Sequence, residues 1–258
     1  GNPLAVVLDG EGLSTEQMQS FCDWTNLSEA TFLLPPTSPD AHYRVRIFCP
    51  GRELPFAGHP TLGTCHAWLA THPTSDEVIV QECGAGLVRV RREGRRLAFA
   101  APPLRRSGPL EEPELERVVR GLGLSRDEVV AHAWCDNGPG WRAVLLRSAD
   151  RVLALGPDPS LLAGLDVGVV GPYPSGEVGF EVRAFFPGNA GLTEDPVTGS
   201  LNAALAQWLI AERRAPARYV AAQGTAMGRA GRVHVEADGA SIWVGGEVVT
   251  CIDGTVRL

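Results

Sequence analysis

Short apolar runs punctuated by glycine and proline dominate the sequence. Residues 43–48, 77–81, 87–91, 97–100, 142–146, 178–186, 232–236 and 241–244 each read as a strand, and the opening run Leu4-Ala5-Val6-Val7-Leu8 is strand-like as well. Helices are fewer. Ser14 followed by Gln17 forms a capping box ahead of Met18, Phe21 and Trp24, and residues 114–122 read as a second surface helix. Leu201, Ala204, Leu205, Trp208 and Leu209 recur at helical spacing, while Asn202, Ala203 and Ala206 add little polarity, so this helix is apolar on nearly every side and must be surrounded. Residues 61–70 have a similar character, and a sheet wrapped around each helix is the economical way to bury both.

The pattern is written twice. Arg46-Ile47-Phe48-Cys49-Pro50-Gly51 returns as Arg183-Ala184-Phe185-Phe186-Pro187-Gly188, Gly58-His59 ahead of the first apolar helix is matched by Gly199-Ser200 ahead of the second, and Gly84 is matched by Gly224. All three are displaced by about 140 residues. A duplicated unit, each copy a domain, is the physical reading.

Composition narrows the chemistry. The 258 residues are 44% hydrophobic and 21% charged, enough apolar side chain for a real core. The net charge of −7 has the wrong sign for a general nucleic-acid binder. All 23 basic residues are arginines, which excludes Schiff-base chemistry, lysine-anchored pyridoxal phosphate and the phosphate-binding lysines of kinases and P-loop proteins. The six cysteines show no paired spacing and the six histidines no metal-binding pattern, so neither a disulfide framework nor a metal site is expected. No run approaches membrane-spanning length and no leader-like segment opens the chain, which reads as cytoplasmic.

Candidate chemistry sits where each buried helix begins. The N–H groups at a helix start favour a carboxylate or phosphate, and Gly58 and Gly199 let a ligand approach the backbone. Thr61, Thr198 and Ser200 serve equally well as ordinary cap and first-turn residues. Thr193-Glu194-Asp195-Pro196-Val197-Thr198-Gly199-Ser200 crowds two acids and three hydroxyls into a turn, suited to the ammonium of an amino acid or simply to capping. His59 follows a loop glycine. Glu29 stands where Asn26-Leu27-Ser28 runs into the apolar segment Ala30-Thr31-Phe32-Leu33-Leu34, a setting that suits proton transfer, although most glutamates are solvated surface groups.

These motifs, in this order, resemble the PhzF family of phenazine-biosynthesis isomerase-like proteins, relatives of diaminopimelate epimerase. The resemblance runs from Gly1-Asn2-Pro3 through Asn26-Leu27-Ser28-Glu29 and Gly58-His59-Pro60-Thr61-Leu62-Gly63 to Glu194-Asp195-Pro196-Val197-Thr198-Gly199-Ser200 and Gln223-Gly224 with Gly228-Arg229. It implies an α+β fold of two pseudo-symmetric domains, 1–106 and 107–258, each a barrel-like sheet around a central helix, with the active site in the cleft between them and a homodimer as the assembly. It implies isomerisation without a cofactor, with Glu29 as general base and then general acid. His59, Asp195 and Ser200 would orient the substrate, and Gly58 and Gly199 would offer N–H groups to its carboxylate. A segment preceding Gly1 would supply a first strand and part of the cleft wall, and Ala30 stands where the family often has threonine.

The related epimerases use two opposed cysteines at the helix starts, and here those positions carry no thiol; the nearest cysteine along the chain is Cys65. The expectation is therefore an isomerase that moves a proton within a small cyclic amino or hydroxy carboxylic acid of the dihydro-hydroxyanthranilate type. A small-carboxylate binding protein without turnover, and an epimerase using bases other than thiols, are the alternatives.

Overall fold

The structure is a computed structural model that describes residues 1–188, 191–239 and 241–258. The chain forms two compact units, Asn2–Ala100 with Gly245–Leu258, and Ala101–Val244 with Gly1. In chain order the first carries β1 (Leu4–Val7), α1 (Thr15–Thr25), β2 (Glu29–Leu34), β3 (Tyr43–Cys49), β4 (Arg52–Leu54), α2 (Gly58–Thr71), β5 (Val78–Cys83), β6 (Gly86–Glu93) and β7 (Arg96–Ala100). The second carries α3 (Glu112–Gly121), β8 (Val129–Cys135), β9 (Trp141–Leu146), α4 (Ala149–Leu153), β10 (Val167–Pro172), β11 (Phe180–Gly188), β12 (Gly191–Asp195), α5 (Gly199–Ala211), β13 (Arg218–Gln223) and β14 (Gly231–Asp238). The closing strand, β15 (Ser241–Glu247), spans the unit boundary after Val244.

Strand order shows the duplication directly. The first unit runs β1-β2-β3-β5-β6-β7 with β4 on β3, and the second runs β14-β13-β11-β10-β9-β8 with β12 on β11. Parallel pairing of β1 with β2 and of β3 with β5 is repeated by β9 with β10 and β11 with β13. The antiparallel pairs β2–β3, β3–β4 and β5–β6 return as β10–β11, β11–β12 and β13–β14. The central helices occupy matching places, α2 after β4 and α5 after β12. This mixed sheet with few helices is an α+β fold.

Helix α5 is buried along most of its length, and α2 over its first half. Gly58 and Pro60 to Cys65 are buried in α2, as are Gly199, Leu201 to Ala206, Trp208 and Leu209 in α5. Small residues make the close approach feasible: a Cβ at Gly63 of α2 would strike Leu4 of β1, and one at Gly168 of β10 would strike Leu201 of α5. Outside the first sheet, Met18, Phe21 and Cys22 of α1 pack on Ala30, Phe32 and Phe48. The rings of Phe21, Phe32 and Phe48 meet edge to face at 5.8 and 5.6 Å, locking β2 and β3 beneath the helix. Outside the second, α3 and α4 close a larger core with Leu115, Val118, Val152, Val167 and Phe185.

The expected helix over 114–122 is α3, which begins earlier because Pro113 fits its first turn. The polar stretch 193–200, expected as one turn, is strand β12 up to Asp195 and turns only at Pro196. Strand β10 escaped the sequence reading because Gly168 and Gly171 look like punctuation; their missing side chains are spaces filled by Leu201 and by the Ser148 carbonyl. No helix among the described residues is long and apolar enough to cross a membrane.

Candidate active site

Glu29 owes its place to Asn26. Asn26 ends α1 in the left-handed conformation (φ 51°, ψ 32°) and donates its N–H to the Cys22 carbonyl at 3.1 Å, a C-cap that asparagine tolerates far better than most residues. The chain then turns through Leu27 and Ser28, so that Glu29 is the first residue of β2, paired in parallel with Leu4. His59 comes from the first turn of α2. Its approach is fixed by Phe56, whose ring meets Phe99 at 5.4 Å, and by the Pro55 carbonyl, which accepts the Ala85 N–H at 2.9 Å.

These two chain segments bring His59 Nε2 within 2.9 Å of Glu29 Oε2, with side chains only 16% and 15% exposed. The contact lacks hydrogen-bond alignment, although both atoms are buried. A largely enclosed carboxylate is costly without a partner, and the imidazole of His59 is the basic group at this distance. The helix start beside it has no side-chain cap: the N-cap position is Ala57, leaving the backbone itself as donor at Gly58 and His59, with Pro60 supplying no N–H.

The start of α5 is built differently. Thr198 occupies the N-cap but does not cap; its hydroxyl donates to Asp195 Oδ2 at 2.5 Å. Ser200 is gripped from β9 and the preceding turn: its Oγ accepts from Trp141 Nε1 at 3.1 Å and its carbonyl accepts from Asn137 Nδ2 at 2.8 Å. Behind them Gln223, fully buried at the end of β13, bonds to Thr198, Asn202 and Asp195. Asp195, Gly199 and Ser200 thus converge in the second unit, while Glu29, Gly58 and His59 converge in the first.

Glu194, one of two acids left open between a ligand's ammonium and capping, is a structural acid: it accepts two bonds from Arg183 at 2.9 and 2.7 Å, and Arg183 also donates to the Val152 and Leu155 carbonyls. Asn202, dismissed as minor polarity, is completely buried and hydrogen-bonded. Cys65, nearest to His59 along the chain, is buried, and that burial pushes its thiol up to about 12, so it stays protonated. Two cysteines share a field with Glu29: Cys22 of α1, whose thiol burial pushes up to about 12, and Cys49, one residue beyond the Ala30–Phe48 pair on the neighbouring strand, which burial and the Glu29 charge raise despite Arg52. Gln223, Trp141 and Asn137 were not anticipated as site residues. A glutamine closing the otherwise apolar Val220-Ala221-Ala222 was the available signal, repeated by Gln81 after Val78-Ile79-Val80.

Two copies of a strand–helix unit, each presenting an uncapped buried helix start, define the fold class of the diaminopimelate epimerase-like proteins. The family described as phenazine biosynthesis-like protein (PhzC-PhzF) matches residues 1–254. The chain belongs to that family, and it is an enzyme of the isomerase class. It is 34% identical to the antisense-enhancing sequence 1 protein of Schizosaccharomyces pombe, over 98% of this chain and 93% of that one. It is also 34% identical to the trans-2,3-dihydro-3-hydroxyanthranilate isomerase of Pseudomonas aeruginosa, over 98% of this chain and 89% of the relative. A crystal structure of a PhzF-family phenazine biosynthesis protein from Enterococcus faecalis superimposes with a TM-score of 0.77 at 26% identity, covering 96% of this chain and 89% of that one.

Proposed function

We propose that the protein moves a proton within a small cyclic amino or hydroxy carboxylic acid without a cofactor, and that Glu29 carries the proton. The carboxylate takes a proton from one ring carbon, the electron pair of that C–H bond passes into the conjugated system, and Glu29 returns the proton to another carbon. Atoms and charge balance, and no second reactant is consumed. His59 is suited to orient a substrate beside Glu29, the N–H groups of Gly58 and of Gly199 are each suited to a carboxylate, and Asp195 and Ser200 to an amine or hydroxyl. The observation that carries this reading is the enclosed 2.9 Å contact between Glu29 and His59 beside an uncapped helix start. The name of the Pseudomonas relative supports trans-2,3-dihydro-3-hydroxyanthranilate as the first compound to try. We also propose a cytoplasmic homodimer, to be checked by sedimentation of the purified protein.

The direct test is Glu29→Gln, which keeps shape and removes the proton carrier. Its turnover of this compound is expected to fall by about 10² to 10⁴. In D₂O the wild type is expected to place deuterium at the carbon that gains hydrogen, in part or in full, and the variant to place none. Wild-type turnover by Glu29→Gln would exclude Glu29 as the base, whereas deuterium at a stereocentre with loss of optical rotation would favour epimerisation.

A further inference from the structure

Behind Asp195 lies a polar assembly that the proposed chemistry does not itself require. Gln223 uses its whole side-chain amide. Oε1 accepts from the Thr198 N–H at 3.0 Å and from Asn202 Nδ2 at 2.8 Å, and Nε2 donates to the Asp195 carbonyl at 3.0 Å and to Thr198 Oγ1 at 2.8 Å. The orientation of the amide is unambiguous, because a backbone N–H can only donate and a backbone carbonyl can only accept. It follows that Thr198 Oγ1 accepts from Gln223, which leaves its single hydrogen for the Asp195 Oδ2 carboxylate oxygen at 2.5 Å. That oxygen is thereby made an acceptor. Gln223 and Asn202 are fully buried and Thr198 nearly so, which makes each of these bonds costly to lose.

The duplication supplies an internal control. In the first unit Gln81 is likewise fully buried and donates to a helix hydroxyl, Thr61 Oγ1, at 2.9 Å. There the N-cap is Ala57, and Leu54 precedes the loop where the second unit has Asp195. A buried helix of this kind therefore starts without a hydroxyl and an acid, and their presence in the second unit is an addition to the common framework.

Resting on the reading above, in which Asp195 meets the substrate, we propose that Gln223 and Thr198 are positioning residues: a relay from Gln223 through the Thr198 hydroxyl fixes Asp195 as a hydrogen-bond acceptor turned toward an amine or hydroxyl of the substrate. Neither residue touches the reacting atoms. Three variants test the relay. Thr198→Val removes the hydroxyl at nearly constant shape, Thr198→Ser keeps it, and Gln223→Glu keeps the shape while removing both donors. Two readouts are used on protein shown by circular dichroism to be folded: kcat and KM on trans-2,3-dihydro-3-hydroxyanthranilate, and the pH titration of the Asp195 carboxyl carbon by NMR, which needs no substrate.

Thr198→Val and Gln223→Glu are expected to lower kcat/KM by about 10- to 100-fold, the cost of a misplaced binding group. In Thr198→Val, loss of a donor to the carboxylate is expected to move the Asp195 titration to higher pH. Thr198→Ser is expected to restore both. A folded Thr198→Val protein with wild-type kcat/KM and an unmoved Asp195 titration would overturn the relay, and so would failure of Thr198→Ser to rescue. If the wild type itself leaves the compound unchanged, the functional reading for that substrate fails, while the Asp195 titration still decides whether the relay exists.

Discussion

A thiol beside a candidate base competes for the same proton, and of the two cysteines in the field of Glu29, Cys49 is the one on the strand paired with β2. Burial, opposed by Arg52 and reinforced by Glu29, keeps it in the protonated form, a poor base. Cys49→Ser is therefore expected to keep kcat/KM within about threefold of wild type, since it removes no group that carries the proton. A hundredfold loss would make the thiol a second base and revive the epimerase reading. At this scale the sequence was informative where a motif surrounds one residue: Asn26-Leu27-Ser28-Glu29 marks Glu29, and the helix-start glycine marks His59. What it could not show was the register that sets Cys49 beside Glu29, or the bonds that make Asn202 and Gln223 framework rather than ornament. Those are consequences of strand pairing and burial, and a buried amide is indistinguishable from a surface one until its partners are known.

Among the elements, β11 carries a load that the apolar pattern conceals. Its Glu181 is fully buried, and one oxygen, Oε2, accepts from Tyr173 at 2.8 Å and from Thr225 at 3.1 Å, while Oε1 has no hydrogen-bond partner among the described residues. Burial is the main cause that raises its carboxyl above the usual 4.5, opposed by Tyr173, Thr225, Arg232 and Arg183. Since the folded value lies above the unfolded one, the folded state binds the proton more tightly. The stability gained is full below the unfolded value of 4.5 and is lost as pH rises through the folded value. Glu181→Gln carries its own permanent donor, so its unfolding free energy is expected to be flatter with pH across that window. Urea titrations at a series of pH values check this, and parallel slopes for the two proteins would show that Glu181 is ionised in the fold. Strand β11 was visible in the sequence as an apolar run, but the burial of its Glu181 and Arg183 was not, because it comes from α4 packing on the strand and from Thr225, after β13, bonding to Glu181.

Over the whole molecule, duplication means that the same joint is made twice, and differences between the copies isolate what each joint does. The residue after β5 is Gly84 and the residue after β13 is Gly224, each pressed on the loop that leads into its central helix. A Cβ at Gly84 would lie 2.9 Å from Pro55 Cα; at Gly224 it would lie 2.7 Å from the Pro196 carbonyl and 2.9 Å from Arg229 Cβ. Only Gly224 also has a left-handed backbone, with φ at +85°. Gly12 has the same φ of +85° with nothing within 4 Å of a Cβ, so it isolates the backbone cost alone. Gly12→Ala is expected to lose about 1–2 kcal/mol from the left-handed conformation. Gly224→Ala adds the overpacking penalty, about 1–3 kcal/mol more, because Pro196 and Arg229 must both give way. Pro196 is the immediate neighbour of Asp195, so the strain falls on the candidate site, and kcat/KM is expected to drop in Gly224→Ala while Gly12→Ala keeps it. Paired denaturation curves and assays decide the matter. Equal losses of stability in the two variants would mean that the loop yields without resistance, and the joint after β13 would then be a plain turn rather than the support that holds Asp195 against its helix.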